Sequence, residues 1–102
     1  MSNDPIKGLS VEVCPVPVLS TCHITASTNA MLGSTGERTP WGHCAKYEYG
    51  YFLSIPTEDA PLEPAPPSDL QAIFVWARAN EFGWIRLDAD GSHEDALASY
   101  DW

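Results

Sequence analysis

Residues 69–90, DLQAIFVWARANEFGWIRLDAD, carry two hydrophobic periods in succession. Leu70, Ile73, Phe74 and Ala77 recur at i, i+3, i+4 and i+7, the spacing of one face of a helix. Pro66 and Pro67 precede that face, and Ser68 offers a hydroxyl that can accept from amides the first turn leaves unpaired. Asp69 places negative charge at the positive end of the helix dipole. Gly83 supplies the left-handed residue that commonly ends a helix. Beyond it the period shortens to two. Ile85, Leu87 and Ala89 fall on one side and Trp84, Arg86, Asp88 and Asp90 on the other, the pattern of a half-buried strand over 84–90. A helix that runs into a strand across one glycine must lay its apolar faces together.

Upstream, residues 56–67 hold five prolines in twelve positions and predict a stiff surface linker within one domain. Residues 46–55, KYEYGYFLSI, predict one continuous strand with Tyr47, Tyr49, Tyr51, Leu53 and Ile55 on one face. Residues 34–44 read as a loop that carries Trp41. Thr25 predicts the cap of a short helix that ends near Leu32, packs through Ala26, Ala30, Met31 and Leu32, and stops at Gly33. Residues 18–24 predict a strand. Pro15 and Pro17 cannot donate to a ladder, which sets the segment before it at a sheet edge or bulge. Residues 1–8 are polar and read as loose. Downstream, Gly91 and Ser92 turn the chain, 93–97 predict one helical turn, and 98–102 predict a closing edge strand. The whole reads as a single α+β domain over 1–102, with a three- to four-stranded sheet and two helices packed on one face. Exposed outer strands would offer a route to a homodimer.

A chain of 102 residues with 44% hydrophobic content supports one core without staples. No apolar run approaches the ~20 residues of a spanning helix. The N-terminal MSNDPIKGLS lacks the basic and apolar regions of a secretory signal. The expectation is therefore a cytoplasmic protein, away from membranes, with its three cysteines reduced. Fourteen acids against five bases give a net charge of −9. Five scattered bases cannot displace counterions from a phosphate backbone, so direct nucleic-acid binding is not expected. The acidic balance suits solubility, or a partner protein with a basic surface.

Cys22-His23 and His43-Cys44 contain the residue types of a zinc site. Their spacing does not suit one, because zinc ligand pairs usually sit two to four residues apart and adjacent strand residues point to opposite faces. No metal and no cofactor is expected. Cys14, Cys22 or Cys44 could serve as a nucleophile with a histidine base; Cys22 precedes the first helix by a few residues, a position that favours a thiolate, but no family signature surrounds it. Asp88-Ala89-Asp90-Gly91 has the wrong register for a calcium loop, since glycine arrives two positions early. Four Trp and four Tyr exceed what one small core needs. Trp76, Trp84 and Phe74 are assigned to the core. Trp41, Tyr100 and Trp102 are candidates for an interface, where large side chains with few rotors dominate binding.

At VLSTCHIT, YGYFLSI and the tail WIRLDADG…L.SYDW, the sequence resembles a small uncharacterised bacterial and phage domain family associated with plasmids and other mobile elements. The resemblance covers residues 18–102. It implies that a small residue such as alanine often stands at position 22, which makes Cys22 a packing residue. It also implies a neighbourhood in which small acidic proteins often inhibit host defence, as anti-restriction and anti-CRISPR proteins do. The reading is a non-enzymatic protein-binding module whose face combines Trp41, Asp88, Asp90, Tyr100 and Trp102. Two alternatives stand beside it: a small metal- or cysteine-dependent enzyme using Cys22, His23, His43 or Cys44, and a structural homodimer.

Overall fold

The computed structural model describes residues 11, 13–34, 38–56 and 64–102. The expected loose segment at 1–8 lies outside these residues, as does most of the expected linker at 56–67. The elements are β1 (Val18–Ser20), α1 (Ala26–Ser34), β2 (Arg38–Thr39), β3 (Gly42–Tyr47), β4 (Gly50–Ser54), α2 (Ser68–Ala79) and β5 (Trp84–Asp88). The sheet order is β1-β5-β4-β3-β2, with β1 parallel to β5 and all other neighbours antiparallel. β2 is two residues long, so the body of the sheet is four mixed strands, in a single α+β domain. Among the described residues, no helix is long and apolar enough to cross a membrane.

The periodicity over 70–77 produces α2. Leu70, Ile73, Phe74 and Ala77 are all buried and share one core with Ile85 and Leu87 of β5, Tyr51 and Leu53 of β4, and Leu32 of α1. Burial of a side chain of this size contributes about 1.5–3 kcal/mol. The helix ends differ from expectation. Pro67 stands at the N-cap, Ser68 is the first helical residue, and no side chain caps the helix. Asp69 turns toward α1, where its carboxylate accepts from the Thr25 N–H at 2.7 Å and the Thr28 hydroxyl at 3.0 Å. At the other end the left-handed residue is Glu81, with φ 62°, and not Gly83. Glu81 N–H donates to Arg78 O at 3.0 Å and Phe82 N–H to Ala77 O at 2.9 Å, the bond pair of a Schellman stop. Phe82 closes it by packing on Trp76, ring centroids 5.7 Å apart.

The expected single strand over 46–55 is a hairpin. β3 and β4 pair from Cys44↔Leu53 to Tyr47↔Gly50, leaving Glu48 and Tyr49 as a two-residue turn. Within β4 the alternation holds, with Tyr51 and Leu53 buried and Phe52 exposed. Tyr47 and Tyr49, expected on one face with Tyr51 and Leu53, do not share it: the register puts Tyr47 on the opposite face, and Tyr49 is 53% exposed at the turn. Gly50 permits the close approach to β5, because a Cβ there would fall 1.7 Å from Leu87 O. The expected loop at 34–44 contains β2 and the start of β3.

Thr25 does cap α1, accepting from the Thr28 N–H at 3.2 Å. The helix passes through Gly33, and its buried side chains are Thr28 and Leu32. Ala26 and Ala30 face solvent. β1 ends at Ser20 and not at residue 24, since the Ser20 hydroxyl accepts from Cys22 N–H at 3.1 Å and turns Thr21–His23 into a 3₁₀ turn. Ser92 occupies the outer edge of β1, bonded to both Val18 and Ser20, so that edge is not open for pairing with a second copy. Gly91 makes the crossing possible, because a Cβ would lie 2.4 Å from Leu19 O. Of the expected helical turn at 93–97 only a single turn over 94–97 forms, closed by Leu97 N–H on Glu94 O at 3.0 Å, and 98–102 form no strand. They are laced instead to the β1–α1 connection. Tyr100 N–H donates to Cys22 O and Trp102 Nε1–H to Ile24 O, each at 2.8 Å. Glu94 N–H donates to His23 Nε2 at 2.9 Å, which leaves Nδ1 to carry the proton it donates to Ala98 O at 2.8 Å.

Candidate binding surface

Strand parity sorts the sheet into two faces. Leu19, Cys44, Tyr51, Leu53, Ile85 and Leu87 are buried toward the helices. On the opposite face Val18, Arg86, Phe52 and Ala45 stand in one cross-strand row, and Ser20, Asp88, Gly50 and Tyr47 in the next. Arg86 lies over the rings of Tyr47 and Phe52, 5.1 and 5.7 Å from their centroids. Its Nε donates to the Tyr47 hydroxyl at 2.8 Å and its Nη2 to Asp88 at 2.9 Å, while the Tyr47 hydroxyl donates to Asp88. The Tyr47 bond, with those from Asp90 N–H and Arg86, holds the Asp88 carboxyl below the usual carboxylate range. Bonds to Tyr47 and then Asp88 hold the Arg86 guanidinium above its ordinary value. Burial, followed by the bond to Asp88, pushes the Tyr47 phenol up.

This row ends where β1 and β5 finish side by side. There the turn after β5 is tied to the β3–β4 turn through Ala89 N–H and Tyr49 O, 2.9 Å apart. The tail comes back over the same end and leaves Trp102 56% exposed. Two clefts flank its indole. One, of about 360 Å³, is lined by Tyr47, Tyr49, Tyr51 and Trp102 with Asn29 and Glu48. The other, of about 180 Å³, runs past Cys22, Tyr100 and Trp102. Thr21, Ala89 and Trp102 line both. A larger opening of about 520 Å³ follows α2 between Val75, Trp76 and Leu97, but no charged side chain lines it to orient a ligand.

Three of the five expected interface residues meet at this end of the sheet. Tyr100 and Trp102 line the smaller cleft, and exposed Asp90 follows Ala89 at its rim. Trp41 does not join them. It stands before the opposite end of β3, is 7% exposed, and donates its indole N–H to Pro64 O, so it belongs to the core. Asp88 is also corrected: it is 6% exposed and engaged with Tyr47 and Arg86, so it presents no free charge. Trp84, assigned to the core, is exposed and stacks on His43 at 6.3 Å. Sequence reasoning missed Tyr47, Glu48 and Tyr49 as site residues. The isolated Gly50 inside an aromatic run was the available signal, since such a glycine often marks close backbone approach.

Cys22, His23, His43 and Cys44 do not gather into one site, although the His23 ring meets that of His93 edge-on, centroids 6.1 Å apart. Cys44 is buried, and burial pushes its thiol up, away from the thiolate. His43, its neighbour, faces the other side of the sheet beside Trp84. His23 is 2% exposed and spends both ring nitrogens on backbone partners. Among the described residues, no three His, Cys, Asp or Glu side chains converge as metal ligands would.

A sequence model for the C-terminal domain of a family of unknown function, DUF5983, matches residues 16–102, from just before β1 to the end of the tail. No curated protein and no solved structure matches the chain.

Proposed function

We propose that this chain, which belongs to the DUF5983 C-terminal domain family, is a non-enzymatic module that docks on a basic protein surface through the Trp102 end of its sheet. The observation that carries this reading is Trp102 itself. Its indole N–H is fixed to Ile24 O, yet more than half of the residue faces solvent between two open clefts. A rigid, half-exposed aromatic loses little freedom when a partner covers it, the property that makes Trp and Tyr dominate interfaces. Glu48, Asp90 and Asp101 are exposed around it, and the net charge of −9 favours approach by a basic surface. The resemblance to a mobile-element family extends the reading to an inhibitor of host defence, anti-restriction or anti-CRISPR in type, whose target supplies the basic charge with its nucleic-acid-binding surface.

Photo-crosslinking tests this surface. Benzoylphenylalanine at position 49 or 102 should trap the same partner in host cells. At position 75, on the exposed side of α2, it should trap none. A partner trapped only from position 75, or none from 49 and 102, would move or remove the proposed interface.

A further inference from the structure

The larger cleft beside Trp102 differs chemically from every other opening described. Three tyrosines and a tryptophan line it, with Glu48 at its wall and the Asn29 side-chain oxygen already accepting from the Tyr51 hydroxyl at 3.0 Å. Asp90 and Asp101 adjoin the lining residues Ala89 and Trp102 in the chain, and both are exposed. One cation shares the cleft. Lys46 Nζ would lie 3.8 Å from a Cβ on Gly33, so its ammonium reaches the last turn of α1, where the helix dipole favours positive charge. Among the lining side chains one carboxylate, Glu48, stands against this one ammonium, and the excess of negative charge that favours a cationic ligand is that of the whole chain, −9. Ring faces carry negative potential, and a cation over them gains attraction that grows as water is excluded. The protein already uses this chemistry beside the cleft, where Arg86 lies over Tyr47 and Phe52.

We propose that this cleft seats an arginine side chain of the basic partner. The inference rests on the protein-binding reading above and names the group recognised there. Arginine suits the cleft better than lysine. Its flat guanidinium can stack on a ring while its edge donors reach Glu48 and the tyrosine oxygens, whereas an ammonium is a compact and strongly hydrated point charge.

The probe is an acetylated, amidated Gly-Arg hexapeptide, titrated at low ionic strength while backbone amide shifts are followed, with Gly-Lys and Gly-Glu hexapeptides as controls. Saturable shifts should centre on residues 46–51, 89–90 and 100–102, with the Gly-Arg peptide binding tightest. Tyr49→Ala and Glu48→Gln, both exposed turn positions, should each weaken binding about fivefold. Asp95→Asn, an exposed acid that lines neither cleft, should change it by less than about twofold. Equal losses in Asp95→Asn would reduce the effect to diffuse charge and overturn the proposal, as would saturation centred on Val75 or no saturation at all. A null titration beside a crosslink from position 102 would leave the docking surface standing and remove only the arginine slot.

Discussion

Asp69 joins the two helices through bonds to the Thr25 amide and the Thr28 hydroxyl while 5% of its surface is exposed. Asp69→Ala leaves both donors without their acceptor in a buried setting and should cost about 2–4 kcal/mol in chemical denaturation. Asp69→Asn retains one acceptor oxygen and should cost less. Equal losses in the two variants would mean that the carboxylate charge, which both remove, and not the number of accepting oxygens, sets the value. Asp88 makes a pH-dependent contribution. Its folded carboxyl titrates below the ordinary carboxylate value, chiefly through the Tyr47 hydroxyl. In the window between folded and unfolded values the unfolded chain binds more protons, so the stabilisation is complete above about pH 4 and disappears as pH falls through the folded value. The stability gap between wild type and Asp88→Asn should therefore be constant near neutrality and close as the solution is acidified below about pH 4. A gap that does not narrow would show that the carboxylate charge is not what Asp88 contributes. Neither role could be read from local context. Asp69 sits where a helix-dipole charge is expected, and Asp88 sits on the polar parity of a strand; the bonds from Thr25, Thr28 and Tyr47 that set these roles come from 41 residues or more away in sequence.

The stop after α2 holds a glutamate in a conformation that favours glycine, Glu81 at φ 62°. Glu81→Gly relieves a left-handed penalty of about 1 kcal/mol and should raise the melting temperature by a few degrees. A lower melting temperature would mean that contacts of the Glu81 side chain outweigh the backbone strain. This stop also shows how far local pattern reaches. The face Leu70, Ile73, Phe74 and Ala77 is legible because helical periodicity is a property of α2 alone. The terminating residue is not, because Gly83 offers the usual residue type while Phe82 can pack on Trp76 only if the turn comes two residues earlier. The β3–β4 hairpin is hidden for a related reason. Glu48 and Tyr49 lack the Asn-Gly or Asp-Gly chemistry that announces a two-residue turn, so KYEYGYFLSI reads as one strand. That reading puts Tyr47 and Tyr49 on the face of Tyr51 and Leu53, whereas the hairpin turns Tyr47 to the opposite face and Tyr49 into the turn. The tail reads as a strand for want of long-range information, since its bonds run to Cys22, His23 and Ile24 at the other end of the chain. Trp102 and Tyr100, candidates from the sequence because they lie outside the predicted core faces, both line the smaller cleft.

The charge of the protein acts on folding and on association with opposite consequences for salt. Fourteen acids against five bases repel one another in the compact state. The Debye length is about 30 Å at 0.01 M and about 8 Å at 0.15 M, and the radius of gyration, 13.9 Å, lies between the two. At the lower salt every acid therefore feels the others across the fold, and at the higher salt only near neighbours do. The self-repulsion is spread over the surface, whereas the Arg86–Asp88 contact is a single close pair, at 2.9 Å, which salt screens far less. Raising salt from 0.01 to 0.15 M should consequently raise the melting temperature. Over the same range the association rate with an arginine-rich peptide should fall, because the field that steers the encounter is cut short, while the dissociation rate changes little, being governed by ring contacts once docked. Asp90→Asn should reproduce part of the loss in association rate without salt, and Trp102→Ala should instead speed dissociation. Melting curves at the two salt concentrations and stopped-flow traces from the same samples give both quantities. A melting temperature that falls with salt would make local ion pairs, and not net repulsion, the dominant electrostatic term in the fold. An association rate indifferent to salt would remove the acidic balance from any part in finding the partner.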